Sequence, residues 1–224
     1  MAVIPQKFTS SSGLSTLITP KVAIISLLVV HFFGALGLSY PDTRPYFELA
    51  TPFNLLLISL LLLFFHQDWN YTFVVFAVLC AVLGFLVEVA GVHTGVIFGD
   101  YAYGPTLGFK LWDVPLLIGL NWLVLIYCTG MITYRATPYW VVNAVLGSTL
   151  MIVLDIFIEP VAVALDFWQW SNDIIPLQNF IGWFVTAFVL QSLYHLLPFK
   201  KGNQIARSVF YVQLAFFITL QFLI

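Results

Sequence analysis

Hydrophobic residues run along the chain in seven long stretches, and polar residues are concentrated in the short segments between them. Each stretch approaches the roughly 20 apolar residues that an α-helix needs to cross the hydrocarbon core of a bilayer. The second is the shortest, and a start near Phe47 is also compatible with its pattern. The pattern predicts an all-α integral membrane protein, a bundle of about seven transmembrane helices. The predicted helices span residues 19–39, 51–66, 71–93, 113–132, 138–158, 176–197 and 206–224.

Prolines mark most of the predicted helix ends. A proline costs little in the first turn of a helix, where its missing N–H would have no intrahelical partner, and it is common just after a helix ends. On this basis we place helix starts near Pro20, Pro52, Pro115, Pro138 and Pro176, and helix ends near Pro160 and Pro198. The fifth helix is therefore expected to end at Pro160.

The composition excludes a soluble domain. Of the 224 residues, 61% are hydrophobic and 8% are charged, whereas a soluble domain carries about 25% charged residues. We expect a polar N-terminal segment, residues 1–18, followed by a single transmembrane helical domain, residues 19–224. Membrane lipids are its expected surroundings. With eight Lys and Arg residues in all, we expect no nucleic-acid partner.

Basic residues predict the orientation, because cytoplasmic loops collect Lys and Arg. Six basic residues fall on the side of the N-terminus and two on the opposite side, so a cytoplasmic N-terminus is predicted. The six are Lys7, Lys21, Arg135, Lys200, Lys201 and Arg207, and the two are Arg44 and Lys110. Of the ten acids, only Asp68 falls on the cytoplasmic side. The other nine are Asp42, Glu48, Glu88, Asp100, Asp113, Asp155, Glu159, Asp166 and Asp173.

Three of these acids have apolar neighbours in helical register: Glu88, Asp155 and Glu159. An ionisable residue inside a membrane span is by default a functional candidate, because burying its charge is expensive. Asp155 and Glu159 are four residues apart and share one helix face. Glu88 is predicted at the same outer level. Carboxylates that lie so close cannot all ionise, so at least one is expected to stay protonated and to serve as a general acid.

Other polar and aromatic residues are predicted at this level. Asp113 and Asn179 begin their helices there, so they could converge with the three acids on one pocket in the outer half of the bilayer. The loop aromatics can be an interfacial belt or a lining that stabilises a carbocation through its ring faces. They are Tyr101, Tyr103, Trp112, Trp168 and Trp170. The four histidines, of which His93 lies at the outer end, do not have the spacing of a metal site, so we expect no metal and no cofactor.

Two classes of membrane protein fit poorly. A retinal-binding rhodopsin would need a lysine in the last helix, and residues 206–224 contain none. A prenyltransferase would need paired acidic motifs for magnesium and diphosphate, but DIFIE (residues 155–159) has no second match, and Arg44 and Lys110 are the only outer basic residues. The remaining interpretation is protonation of an apolar substrate dissolved in the lipid.

Residues 70–195 resemble the carotenoid 1,2-hydratases of the CruF type. The resemblance rests on EVAGVHTGVIFGDYAYGPTLGFKLWDVPLLIGLNW (88–122), LDIFIEPVAVALDFWQW (154–170) and IPLQNFIGWFVT (175–186). The motifs are E-x-x-G-x-x-T-G-x-x-F-G-x-Y-x-Y, G-x-x-L-x-x-V-P, D-x-x-x-(D/E)-P and P-x-x-N-F-x-G-W-F. Glu159 stands where many members of that family carry Asp, which keeps the carboxyl group. The first and last predicted helices carry no recognisable motif.

The resemblance implies addition of water to the terminal double bond of an acyclic carotenoid end group of the lycopene or γ-carotene type. It places the chain in a bacterial or archaeal cell membrane, with other carotenoid-pathway enzymes as candidate partners. Our hypothesis assigns Asp155 and Glu88 to proton donation and water activation, and Glu159 to their electrostatic support. The predicted substrate-binding residues are His93, Tyr101, Tyr103, Asp113, Trp122, Trp170, Asn179 and Trp183.

Two alternatives remain open. A lycopene cyclase begins with the same protonation but lets a neighbouring double bond capture the cation, so its product is a ring. A non-catalytic carotenoid-binding protein would release its pigment unchanged. Three acids within membrane spans argue against the second alternative, since binding an apolar polyene requires none.

Overall fold

The computed structural model of the protein describes residues 18–224, so nearly all of the predicted polar segment lies outside the described residues. The described part forms seven α-helices, as predicted. They are α1 (Pro20–Ser39), α2 (Arg44–Phe64), α3 (Tyr71–Thr94), α4 (Leu117–Thr133), α5 (Trp140–Ala164), α6 (Leu177–Leu196) and α7 (Ala206–Leu223). Within residues 18–224, the five helices α1, α2, α3, α5 and α7 are long and apolar enough to cross a membrane. The predicted all-α membrane fold is confirmed, and the cytoplasmic placement of the N-terminus stays a prediction.

Two prolines lie inside helices, and the boundaries predicted from them were wrong. The second helix begins at Arg44, which leaves Pro52 in its interior. The fifth helix continues past Pro160 to Ala164. A proline in a helix leaves the carbonyl four residues earlier without its partner, and here the side-chain amide of Gln221 donates to that carbonyl, Ile156 O, at 3.4 Å. A neighbouring helix thus satisfies the freed group, which is how membrane helices tolerate proline.

The fourth helix begins four residues later than predicted, because a tight hairpin precedes it. Strand β2 (Lys110–Leu111) pairs with β3 (Val114–Pro115) in antiparallel register. The two residues between them, Trp112 and Asp113, have φ values of 51° and 64°, as the central pair of a type I′ turn requires. Asp113 is therefore a turn residue rather than the first residue of a helix.

A second small sheet closes the same end of the bundle. Strand β1 (Tyr101–Tyr103) pairs with β4 (Trp168–Trp170), with Tyr101 opposite Trp170 and Tyr103 opposite Trp168. A short 3₁₀ helix, Ser171–Asp173, follows β4. Side chains two apart in a strand share a face, so YAY and WQW present four aromatic rings to one side. We call this end of the bundle, which also holds the C-terminal ends of α3 and α5 and the start of α6, the sheet end.

Helix α4 is the core of the bundle, because every residue from 122 to 131 is buried. A helix that is apolar all round belongs inside a bundle, and α4 packs against α2, α3, α5, α6 and α7. The surrounding helices expose large apolar side chains outward, such as Phe32, Phe33 and Leu60, as expected for surfaces in contact with lipid. The core position of α4 brings Trp122 to Glu88, and other residues of α4 line a cavity described below.

Candidate active site

Glu88 lies on α3 near the sheet end, 3% exposed, and accepts three hydrogen bonds. Its Oε2 accepts from the hydroxyls of Tyr101 at 2.5 Å and Tyr103 at 2.8 Å. Its Oε1 accepts from the indole Nε1 of Trp122 at 3.0 Å. Both tyrosines lie in β1, outside the helices, and burial raises the pKa of each above its usual value, with a further contribution from the Glu88 charge. They therefore remain protonated and act as donors to Glu88.

Glu159 lies on α5, 1% exposed, and also accepts three hydrogen bonds. Its Oε2 accepts from the indole nitrogens of Trp168 at 3.0 Å and Trp170 at 2.7 Å. Its Oε1 accepts from Nδ2 of Asn179 at 2.8 Å. Indole N–H groups can only donate, so this set of partners matches a carboxylate that acts only as an acceptor.

Asp155 lies one helical turn before Glu159 and is completely buried. Its Oδ2 accepts from Nδ2 of Asn179 at 3.1 Å, so one amide bridges the two acids. Its Oδ1 is buried and has no hydrogen-bond partner among the described residues. Asp155 thus has one donor where Glu88 and Glu159 each have three, and it is the acid whose surroundings best suit a protonated carboxyl.

A small pocket of about 20 Å³ lies between Glu88 and Glu159. Its wall includes both acids, Asn179 and the polar side chain of Asn121, and the rest is mostly aromatic. A volume above roughly 10–15 Å³ holds one water molecule when two to four polar partners are present. The pocket therefore has room for a single water between two carboxyl groups. Asp155 does not line it.

A larger cavity of about 340 Å³ adjoins this pocket among α1, α2, α4, α5 and α7. Its wall is mostly apolar, and Leu154 and Ile158 line it from the face of α5 next to the acids. Three residues line both spaces: Ile118, Asn121 and Trp168. Because some lining residues, such as Val30, Phe53 and Leu57, are also exposed on the outer surface, the cavity borders the lipid between α1 and α2.

The family model for carotenoid biosynthesis proteins matches residues 50–224. That match covers more than half of the chain. The chain belongs to this family. The resemblance predicted from the motifs is confirmed, and both the three acids and the aromatic strands lie within the matched region.

Similarity to one relative also supports membership of this family. The bisanhydrobacterioruberin hydratase of Haloarcula japonica is 30% identical over 117 residues, which cover 48% of this chain and 40% of the relative. The alignment thus spans less than half the length of that hydratase. No solved structure matches the chain.

Six of the eight predicted substrate-binding residues gather around the two glutamates: Tyr101, Tyr103, Trp122, Trp170, Asn179 and Trp183. The rings of Trp122 and Trp183 stack with centroids 4.7 Å apart. His93 and Asp113 lie outside this group. Their side chains are 50% and 77% exposed and approach each other at 3.5 Å, because Asp113 sits in the β2–β3 turn. Their predicted role in substrate binding gains no support from this position.

Four residues that line the pocket were not among the predicted site residues: Phe98, Ile118, Asn121 and Trp168. Trp168 shares its strand face with Trp170, so the period-2 spacing of WQW could have indicated that both contact one acid. Asn121 precedes Trp122 on α4 and lines both the pocket and the larger cavity. That position depends on the rotation of α4 about its axis in the bundle, which the local sequence does not indicate. Cofactor and metal independence stays a prediction.

Gly84 on α3 leaves the space that Trp122 occupies next to Glu88. A Cβ at position 84 would lie 2.5 Å from Cβ and Cγ of Trp122. We expect Gly84→Ala to destabilise the protein by about 1–3 kcal/mol through overpacking, although alanine itself favours helix. Thermal unfolding in detergent would measure this. Gly34→Ala is the matched control, since its nearest contact would be an ordinary 3.5 Å. Equal melting temperatures for the two variants would contradict the tight packing of Trp122.

Proposed function

We propose that this protein hydrates the terminal double bond of an acyclic carotenoid end group, giving a tertiary alcohol. The observation that carries the proposal is a pocket with room for one water between Glu88 and Glu159, directly beside an apolar cavity that borders the lipid. The name of the hydratase relative supports the reaction class. The substrate we propose is an end group of the lycopene or γ-carotene type, in a bacterial or archaeal cell membrane where other carotenoid-pathway enzymes are candidate partners.

The cavity suits a branched polyene end. A carotenoid is dissolved in the bilayer and can enter sideways between α1 and α2, where Val30, Phe53 and Leu57 are exposed. Apolar walls replace water around the chain, which favours binding in proportion to the buried apolar area. The end group would reach Ile118, Asn121 and Trp168, the wall shared with the water pocket.

The first chemical step is proton transfer to the alkene. The two π electrons form a C–H bond at the less substituted carbon, and the tertiary carbon becomes a cation. In the resting enzyme Asp155 holds the proton and Glu159 is a carboxylate. We assign delivery to Glu159, which lines the pocket and passes to the alkene the proton that it takes from Asp155. Asn179 donates to both acids at 2.8 and 3.1 Å, so it keeps the pair in place for this transfer.

The second step is capture of the cation by water. The water oxygen forms the C–O bond, and a proton leaves that oxygen for Glu88. Alkene plus water has then become alcohol, and the resting enzyme is restored when the proton on Glu88 passes back to Asp155. Tyr101, Tyr103 and Trp122 hold Glu88, and Asn121 can orient the water. The ring of Trp168 lies on the shared wall, where its face can stabilise the cation.

This assignment differs in one respect from the roles expected from the sequence. Asp155 was expected to act directly with Glu88, with Glu159 as the electrostatic partner. Since Glu159 lines the pocket and Asp155 does not, we exchange those two roles in the proposal. Glu88 keeps its expected part in water activation.

Expression in a host that accumulates lycopene tests the reaction. We expect a new pigment whose mass exceeds that of lycopene by one water for each hydrated end, with the absorption spectrum unchanged because the conjugated system is not touched. An isomer of unchanged mass that contains a ring would overturn hydration in favour of cyclisation. Bound lycopene recovered unchanged would support a binding protein instead. Cells carrying the Glu159→Gln variant provide the matched control.

A further inference from the structure

The end of the bundle opposite the sheet end carries three cations around the end of α4. We call it the basic end, and it holds the C-terminal ends of α4 and α6 and the start of α7. Arg207, in the first turn of α7, donates from Nε to Met131 O at 3.4 Å. Cζ of Arg135 and Nζ of Lys201 lie 5.1 and 6.0 Å from the ring centroid of Tyr134. Three cations from separate parts of the chain therefore converge on the end of one helix.

No carboxylate forms an ion pair with these cations. The one ion pair among the described residues is that of His93 with Asp113, at the sheet end, and residues 1–17 contain no Asp or Glu. The only acid predicted on this side is Asp68, whose Oδ2 accepts from the backbone N–H of Lys200 at 2.9 Å. The positive charge around α4 is therefore not balanced by an acid of this chain.

Lys201 is the most enclosed of the three cations, since Arg135 and Arg207 are exposed. Its Nζ lies 4.0 Å from the ring centroid of Phe199, within the about 6 Å of a cation–π contact, and it donates to Leu197 O. Lys201 lies in the connection between α6 and α7, and its partial burial lowers the pKa of its ammonium to about 8. Neither a ring nor a carbonyl carries a full negative charge, so a bound anion would stabilise the charged lysine.

Exposed aromatic side chains place the basic end at the depth of the lipid headgroups. Tyr71 begins α3 and Tyr139 precedes α5 at this end, and both are exposed. Trp and Tyr collect where the bilayer meets water, and the anionic groups at that depth are those of lipids. Leu196 on α6 and Tyr211 on α7 are also exposed, so apolar surface continues from the cations along these two helices. That surface suits the acyl chains of a lipid.

Sorting of basic residues to one side of the membrane does not account for this convergence. Such sorting requires Lys and Arg in the loops of one side, but not at one position within them. We propose that Arg135, Lys201 and Arg207 bind the phosphate of an anionic phospholipid, whose acyl chains lie against α6 and α7. The site lies at the other end of the bundle from the three acids, so this inference does not depend on the proposed reaction.

Binding of two lipids tests the site. Phosphatidylglycerol and phosphatidylcholine with the same acyl chains are added separately to the full-length protein in detergent, and native mass spectrometry measures the fraction that carries one lipid. We expect the wild type to bind phosphatidylglycerol at least about tenfold more tightly. Arg135→Gln, Lys201→Gln and Arg207→Gln are each expected to weaken phosphatidylglycerol binding about fivefold, the effect of one Lys or Arg near an anionic surface. Binding of phosphatidylcholine should stay unchanged in all three.

Two further variants separate a defined site from general charge attraction. Lys200→Gln is the matched control, because it removes an exposed charge of the same loop, and it should keep the preference of the wild type. Lys201→Arg keeps the charge and should also keep that preference, while thermal unfolding checks that every variant is folded. Weakening by Lys200→Gln as large as that in the other glutamine variants would overturn the site, and so would equal binding of both lipids by the wild type.

A soluble competitor distinguishes a lipid from a free phosphate. sn-Glycerol 3-phosphate carries the same phosphate without acyl chains, so at equal concentration it is expected to displace little phosphatidylglycerol. Full displacement would overturn the lipid as ligand and indicate a site for a soluble phosphate ester.

Discussion

Replacing Glu159 by glutamine is expected to lower the hydration rate by at least about 100-fold, because general acid catalysis contributes roughly 10²–10⁴-fold to such reactions. The amide has nearly the same shape as the acid but cannot deliver a proton to the alkene. Glu159 lines the water pocket, and its Oε1 accepts from Asn179. Product formed per unit of protein in nanodiscs, measured by mass spectrometry of the extracted pigment, gives the rate.

Two further amide variants show whether the effect belongs to the site. Glu88→Gln is expected to lower the rate to a similar extent, because we propose that the carboxylate between Tyr101, Tyr103 and Trp122 accepts the proton of the attacking water. Asp113→Asn makes the same chemical change in the exposed β2–β3 turn, and should leave the rate within about twofold. A Glu159→Gln enzyme with the wild-type rate would contradict the assignment of that acid, and a large loss in Asp113→Asn would contradict the boundary of the site.

The helices could be predicted from the sequence because a membrane span is a long one-dimensional pattern. Seven apolar stretches predicted seven helices, most within a few residues of their observed ends. The errors occurred where a distant contact decides the local structure. Pro160 looked like a helix end, but Gln221 from α7 satisfies the carbonyl that the proline frees. Local sequence does not contain that information.

The three acids could be identified from the sequence because acids are rare in membrane spans, where burying their charge is unfavourable. Glu88, Asp155 and Glu159 stand out in apolar surroundings, and their common depth follows from the direction of each helix. The donors that hold them were harder to predict. Trp168 and Trp170 contact Glu159 because β4 pairs with β1 across more than sixty residues of sequence, and strands of three residues are too short to give a clear periodic signal. Asp113 was expected at the start of a helix because the hairpin before α4 was not recognised.

The arrangement of donors around the acids also explains how the bundle tolerates them. Burying a charged carboxylate is strongly unfavourable unless hydrogen bonds replace the lost water. Glu88 and Glu159 each accept three such bonds, mainly from aromatic side chains whose rings also bury apolar surface. The same aromatic residues therefore stabilise the fold, hold the acids in position and line the pocket where we propose that a cation forms. In our proposal, stability and catalysis therefore depend on a shared set of side chains.

Loss of Asn179 is expected to lower both the stability of the fold and the rate of hydration. Its Nδ2 donates to Asp155 Oδ2 and Glu159 Oε1, so Asn179→Leu leaves two buried acids without that donor. We expect destabilisation of about 1–3 kcal/mol, the cost of leaving a buried acceptor without its donor, together with loss of hydration. Thermal unfolding of the purified protein measures the first and pigment analysis the second. Gln178→Leu is the neighbouring control. It removes an exposed amide that donates to Gly95 O at 3.1 Å, and should cost about 1 kcal/mol or less.

A double variant distinguishes loss of the bridge from simple damage to α6. Replacing both partners of a buried hydrogen bond by apolar groups is nearly neutral, whereas removing one partner is not. Asp155→Leu added to Asn179→Leu is therefore expected to recover part of the lost stability and none of the activity, because the proton-holding acid is now absent. If the stability lost in the double variant equals the sum of the losses in Asn179→Leu and Asp155→Leu, the two residues are not coupled. Recovery of stability without activity would indicate that Asp155 is kept in the bundle for its chemistry, since the Asn179→Leu protein is then more stable without it.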